Sequence, residues 1–274
     1  MKIFLRVFLA LLLFTSCASK LGKVLKSKDN EYKLKMAEQY YAQKKYNQAQ
    51  QVFEDVMPFF RGSEKYEDIF YKYAYCAYYQ KDYMNAESLF KTYLENFPNS
   101  PRVEEVDYMH CYSYYKQSPK VDLDQTATSK TISLMQAFIN THPESSRVKD
   151  ATQIIDVCRN KLEAKEFKSA QLYYNLAYYK AAAVAFASLI DDYPDSDKSD
   201  EYKLASIRSY FKYAEMSVVE KQEERYGKVI AECADFNDRF PNSKLSTEVN
   251  NYKTLSETNI KNLKNEQTKE TSKR

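Results

Sequence analysis

Apolar and aromatic positions along this chain gather into runs of helical period, and one phrase stops run after run. Tyr93 to Ser100 reads YLENFPNS, Phe138 to Ser145 FINTHPES, Leu189 to Ser196 LIDDYPDS and Phe236 to Ser243 FNDRFPNS. The four prolines stand 45, 51 and 47 residues apart, and a degenerate copy ends at Phe59-Phe60-Arg61-Gly62-Ser63, 37 residues before Ser100. In each copy the aromatic residue closes a helix and proline blocks continuation, lacking an N–H and clashing with the preceding turn. Ser or Asp then caps the next helix. After Ser100, Pro101 costs nothing in a first turn, and Glu104 and Glu105 meet the positive helix end. Helix-turn-helix units of this period predict an all-α solenoid.

The first two units agree position by position. Ala37, Tyr40, Ala49, Phe53 and Val56 return 37 residues on as Ala74, Ala77, Ala86, Phe90 and Tyr93. Ala170, Tyr173, Ala182, Phe186 and Leu189, with Pro194, repeat the pattern between Leu162 and Pro194. Small residues let paired helices approach, and Phe53 and Phe90 fill the seam. This resembles the tetratricopeptide repeat, in about five units. Inserts are expected at Ser118 to Thr128 in the third and Ser217 to Glu224 in the fifth, with a joining helix over Val148 to Glu166. Leu245, Val249, Tyr252, Ile260 and Leu263 trace the stripe of a capping helix.

The amino terminus carries a different signal. Lys2 and Arg6 precede the apolar run Val7 to Phe14, which closes on Thr15-Ser16-Cys17. That is a secretory signal, too short to span a bilayer before Lys20, Lys23 and Lys26. A cysteine directly after Thr-Ser resembles the bacterial lipobox, although Phe14 stands where an aliphatic residue is usual. The resemblance implies cleavage before Cys17, with diacylglycerol on its thiol and an N-acyl chain on its amine. Residues 1–16 are thus a cleaved signal, 17–30 a lipidated flexible linker, 31–145 repeats one to three and 146–263 repeats four and five with connecting and capping helices. The Lys/Glu/Thr-rich end, 264–274, has nothing to bury and is expected to be disordered.

Composition narrows function. Losing Lys2 and Arg6 lowers the formal charge from +3 to +1, too little to hold nucleic acid by counterion release. Three glycines and no tryptophan argue against hairpins and phosphate-cradling loops, and 26 tyrosines stand out. Cys76, Cys111, Cys158 and Cys233 allow three disulfide connectivities, yet each sits singly in an apolar helical pattern and reads as a small buried hydrophobe. Whether any pair, the sequence leaves open.

Separating the faces of each first helix isolates a stripe that is not seam. Asp68, Tyr71, Tyr75 and Tyr78 form it in repeat two, and Glu105, Tyr108, Tyr112 and Tyr115 in repeat three. Tyr41 continues it in repeat one, Phe167 and Tyr174 in repeat four. In tetratricopeptide proteins that stripe lines the concave groove. Here it predicts a tyrosine ladder rimmed by acids for binding a polypeptide. Rings packed against neighbouring repeats are the competing reading.

Catalysis finds no support. His110 falls on the packing stripe and His142 in the turn before Pro143, each too isolated to suggest a metal site, whose ligands need convergent geometry. No nucleophile stands in a strand-turn-helix elbow, and the carboxylates read as helix starts and solvated faces. No enzyme activity and no cofactor beyond the lipid on Cys17 are expected.

A lipobox followed by about five such repeats resembles the BamD family of outer-membrane assembly lipoproteins. KKYNQAQQVFEDV with KDYMNAESLFKTYLENFPNSP, and Glu163 to Ser196, carry the likeness. It implies a periplasm-facing, lipid-anchored subunit of the β-barrel assembly (BAM) machinery at the outer membrane. Repeats four and five would bind a BamA-type barrel subunit, and the N-terminal repeats would receive unfolded outer-membrane proteins. Ala18 in place of an aspartate, and no acidic run in Ser19 to Lys23, favour the periplasmic face. The insert Glu220 to Tyr226 and the tail beyond Leu263 do not match the family. A different periplasmic repeat scaffold, organising cell-wall or division proteins, remains the alternative. A SusD-like glycan-capture protein needs a longer chain.

Overall fold

The computed structural model describes residues 20–271, so the signal segment and Cys17 lie outside the described residues. The chain divides into two compact bodies, Met1–Arg159 and Asn160–Arg274. The first contains α1 (Asn30–Ala42), α2 (Tyr46–Val56), a 3-10 turn (Met57–Phe60), α3 (Tyr66–Tyr79), α4 (Tyr83–Asn96), α5 (Val103–Gln117) and α6 (Thr126–Thr141). Helix α7 (Val148–Asn175) begins in the first body and ends in the second, which continues with α8 (Tyr179–Asp192), α9 (Ser199–Glu215), α10 (Val219–Arg239) and α11 (Ser246–Thr271). Among the described residues there is no strand. The fold is an all-α stack of helical hairpins of the tetratricopeptide type.

The seams are those the repeat implies. Ala37, Ala49, Phe53, Val56, Ala74, Ala77, Ala86, Phe90 and Tyr93 have no exposed surface, nor do Ala170 and Ala182. Phe186 and Leu189 are 1% exposed. Alanine at the crossing points lets backbones close up while one large ring per hairpin fills the gap.

Tight turns within three hairpins use left-handed residues without glycine: Lys44, Lys81 and Ala177, with φ of 58°, 64° and 60°. Each closes the preceding helix with a Schellman pair, as in Lys81 N–H to the Tyr78 carbonyl (2.9 Å) and Asp82 N–H to that of Ala77 (3.1 Å). Those bonds offset a steric cost of about 1–2 kcal/mol per left-handed side chain.

Between hairpins one geometry recurs four times. Phe97, His142, Tyr193 and Phe240 end their helices, and Ser100, Ser145, Ser196 and Ser243 follow. Each serine Oγ accepts the N–H two residues on, from Arg102 (3.0 Å), Arg147 (3.1 Å), Lys198 (3.2 Å) and Leu245 (3.1 Å). The serines therefore cap as expected, but the first turn is 3-10-like, with Val103 N–H on the Ser100 carbonyl, and the α-helix begins one or two residues later. Each hydroxyl also donates to a carboxylate on an earlier helix, in its first turn for three of the four and midway along α7 for Glu163: Ser100 to Glu67 (2.7 Å), Ser145 to Glu104 (2.5 Å), Ser196 to Glu163 and Ser243 to Asp200 (2.6 Å).

Several expectations are corrected. The 17–30 linker is ordered from Lys20: residues 20–25 are helical, and Val24 is buried against the core of α1 and α2. The break at 145/146 moves to 159/160, because the joining helix and the first helix of repeat four are one continuous helix. Its Ala151, Ile154, Ile155 and Cys158 pack into the first core, and its Ala170 into the second. The insert expected at Ser217 to Glu224 lies mostly within α10, which begins at Val219. The end expected to be disordered continues α11 to Thr271, since Lys264 to Thr271 contains good helix formers and no Gly or Pro. Lys264 ties that stretch to Glu223 at 2.9 Å. All four described cysteines are buried, and no disulfide joins them.

Glu67 illustrates what the inter-hairpin bond contributes. It accepts from Ser100 and from the fully buried Tyr93 (2.7 Å), and these hydrogen bonds hold its carboxyl below the usual carboxylate value. Glu67→Ala removes the acceptor that both hydroxyls share, leaving them only each other, at 2.9 Å, as acceptors, and is expected to cost about 2–3 kcal/mol in urea denaturation at neutral pH. Because its folded pKa is depressed, the contribution is complete above the unfolded value of about 4.3 and fades as pH falls through the folded one. The gap between parent and Glu67→Gln should therefore narrow below about pH 4.

Candidate interaction surfaces

In the N-terminal body the tyrosine stripe forms a continuous ladder. Ring centroids run from Tyr41 to Tyr79 (6.4 Å), Tyr79 to Tyr75 (5.6 Å), Tyr75 to Tyr78 (6.3 Å) and Tyr78 to Tyr112 (6.4 Å). Tyr112 then meets Tyr108 (5.8 Å, stacked) and Tyr115 (5.6 Å). The first helices of three hairpins thus contribute to one aromatic surface.

Two members do not face solvent. Tyr75 and Tyr108 are each 6% exposed and belong to the core. Tyr75 packs edge-on against Phe90 (5.1 Å) and Tyr108 against Phe138 (5.5 Å), so both support the surface rather than present it. Tyr41, Tyr71, Tyr78, Tyr112 and Tyr115 are half-buried, with part of each ring accessible.

The acidic rim is engaged as well. Glu105 accepts from the hydroxyls of Tyr71 (2.9 Å) and Tyr75 (2.6 Å), and burial pushes the Tyr71 phenol up to about 12. Asp68 holds Arg102 (3.0 Å) and Lys72 (2.6 Å). Burial opposes its ionisation, but these two cations outweigh it and keep the carboxyl below its usual value. The Arg102 guanidinium lies 4.4 Å over the Tyr71 ring and that of Arg147 4.6 Å over Tyr108. Within the ladder the Tyr71 and Tyr75 phenols and the Asp68 and Glu105 carboxylates are thus partnered, and the half-buried rings offer edges and faces.

Phe167 and Tyr174 belong to the C-terminal body. Phe167 lies between Phe186 and Tyr202, 5.5 Å from each, and Tyr174 meets Tyr179 at 5.3 Å. Both are half-buried.

Sequence reasoning missed the most open aromatic surface. A hollow of about 660 Å³ in the C-terminal body is lined by Tyr173, Tyr178, Tyr179, Val184 and Tyr213, with Ala177, Ala181 and Ala185 also on its wall. Tyr178 is 62% exposed, and Leu172, Leu176 and Val184 each more than half. Repeat register had placed Tyr173 in a seam, as Tyr40 is, but it is 44% exposed against 4% for Tyr40. A second hollow shares Tyr213 and Lys180 and adds Lys221, Arg225 and Lys228, with Glu224. Arg225 stacks 4.0 Å over Tyr213. The signal available in the sequence was the triplet Leu176-Ala177-Tyr178, apolar where the matching turns have Lys44-Lys45 and Lys81-Asp82.

One group has metal-ligand spacing: Asp107, His110 and Cys111. Its atoms serve the fold instead. His110 pairs with Glu87 (3.0 Å), Asp107 with His142 (3.2 Å), and the Cys111 thiol with the Leu134 carbonyl (3.5 Å). Burial raises the Cys111 thiol well above its usual value, disfavouring the thiolate a metal needs.

Hairpins of this type, with apolar and aromatic surfaces between them, define a helical-repeat protein built for protein interaction. Residues 27–226 match the family YfiO, described as outer membrane lipoprotein, and the chain belongs to that family. No curated protein sequence matches. Among solved structures, a chain of the TPR2AB-domain:pHSP90-complex of yeast Sti1 aligns at 12% identity and a TM-score of 0.38, over 83% of this chain and 98% of that one. A likeness that low carries no argument beyond itself.

The two surfaces respond differently to truncation. Tyr75→Ala removes a core ring and is expected to destabilise by about 3–5 kcal/mol, whereas Tyr178→Ala should stay within about 0.5 kcal/mol. Thermal and urea unfolding of the two variants checks this.

Proposed function

We propose that this chain is a non-catalytic lipoprotein subunit of a β-barrel assembly machinery. In this reading it is held by acylated Cys17 on the periplasmic face of the outer membrane. The observation that carries the reading is the family match across the helical hairpins, residues 27–226. A repeat protein of an outer-membrane lipoprotein family has polypeptides as its natural ligands.

Within that role the ladder around Tyr41, Tyr71, Tyr78, Tyr112 and Tyr115 receives unfolded outer-membrane proteins. Tyr75 and Tyr108 hold those rings in place. Since Asp68 and Glu105 are already bonded, contact runs through aromatic area rather than through free acids. The C-terminal body docks the BamA-type barrel subunit, and its hollow at Tyr178 supplies the exposed apolar area such docking uses.

Photo-crosslinkers at Tyr112 and at Tyr178, in intact envelopes, test both assignments. The first should capture several unfolded barrel proteins, the second one barrel protein with periplasmic modules. Depletion should lower many outer-membrane barrels together. Unchanged barrel levels, with peptidoglycan-associated partners in the crosslinks, would instead establish a cell-wall scaffold.

A further inference from the structure

Residues 20–25 form a short helix whose apolar side, Leu21, Val24 and Leu25, packs against the core of α1 and α2. The chain then closes on itself before α1. Lys26 N–H donates to the Gly22 carbonyl (3.2 Å), Ser27 N–H to that of Val24 (3.1 Å) and Asp29 N–H to Ser27 Oγ (3.1 Å). Asp29 in turn caps α1 through Tyr32 N–H at 3.0 Å. Only Ala18 and Ser19 separate Cys17 from this fixed segment, so extended chain spans at most about 11 Å between Cys17 and Lys20.

The outward side of the segment is basic. Lys20, Lys23, Lys26 and Lys28 are all exposed. The acids that follow are occupied, Asp29 in its cap and Glu31 with Lys65 at 2.8 Å. Four cations are thus held on an ordered scaffold three to eleven residues from Cys17, the position proposed to carry the lipid.

We propose that this collar is a second membrane contact, lying on anionic phospholipid headgroups. The proposal rests on acylation of Cys17 for its proximity to the bilayer. An acyl chain fixes Cys17 at the interface, and the docked helix keeps Lys20 and Lys23 near the Debye length of about 8–10 Å from it. Each lysine close to an anionic leaflet strengthens partitioning about fivefold. The anchor then has two parts, lipid and charge, and the N-terminal hairpin is held against the membrane rather than on a long tether.

The test uses the mature chain in unacylated form, Cys17→Ser, with vesicles of phosphatidylcholine alone or with added phosphatidylglycerol. Sedimentation should show binding to the anionic vesicles only, weakened by salt. Replacing Lys20, Lys23, Lys26 and Lys28 by glutamine should reduce it by about 600-fold. Helical circular dichroism and thermal unfolding of that variant should match the parent, since all four side chains are exposed. Equal binding by parent and variant, or equal binding to neutral vesicles, would overturn the proposal. Mass spectrometry of the native amino terminus is read separately: an unacylated Cys17 would sink the lipoprotein reading and with it the proximity argument, whatever the vesicles show.

Discussion

The fold depends on a serine hydroxyl that does two things at once. After each inter-hairpin turn it accepts an N–H of the oncoming helix and donates to a carboxylate on an earlier one. An interaction to a charged acceptor contributes about 1.5–3 kcal/mol, and here it also sets the angle between successive hairpins. Ser100, Ser145, Ser196 and Ser243 repeat it with Glu67, Glu104, Glu163 and Asp200. In the first hairpin, where Ser63 bonds only locally, Lys65 reaches Glu31 at 2.8 Å and a salt bridge takes over the same role. The proline beside each serine halts the helix; the serine specifies where the next one goes.

That arrangement explains what the sequence showed and what it hid. The seams were legible because alanine at crossing points and a ring between them satisfy close packing in every hairpin, and local periodicity is enough to see it. Glu67 and Glu104 could be placed in first turns, but a first-turn acid looks the same whether it faces solvent or a hydroxyl some 33 or 41 residues on. Acceptance is a long-range property. Likewise Tyr75 and Tyr108 share a helical stripe with Tyr71 and Tyr112, and only the partner helix of each hairpin decides which of them Phe90 and Phe138 cover.

Continuity of α7 was obscured for a related reason. Repeat matching assigns its two ends to different hairpins, yet no Pro or Gly interrupts Val148 to Asn175, so helix formation simply carries on across the boundary. The exposed hollow at Tyr178 escaped because repeat register implies burial wherever an earlier copy is buried. Small side chains at Ala177, Ala181 and Ala185 break that inference, leaving a space that no residue of the C-terminal body fills.

On the proposed function, the partnered state of the ladder becomes an advantage. A groove with free carboxylates would select clients by charge. Here Asp68 is paired with Arg102 and Lys72, Glu105 accepts from the Tyr71 and Tyr75 phenols, and the accessible parts of Tyr41, Tyr78, Tyr112 and Tyr115 are aromatic area locked by ring-on-ring contact. Locked rings lose little entropy on binding, and their faces accept aliphatic and aromatic side chains alike. Such a surface discriminates weakly between sequences while favouring extended chains with one apolar face. Unfolded barrel strands, which alternate apolar and polar residues, share that feature and little else. Tolerance of sequence and preference for pattern thus follow from one arrangement, rings held against one another with the Tyr71 and Tyr75 phenols tied to Glu105.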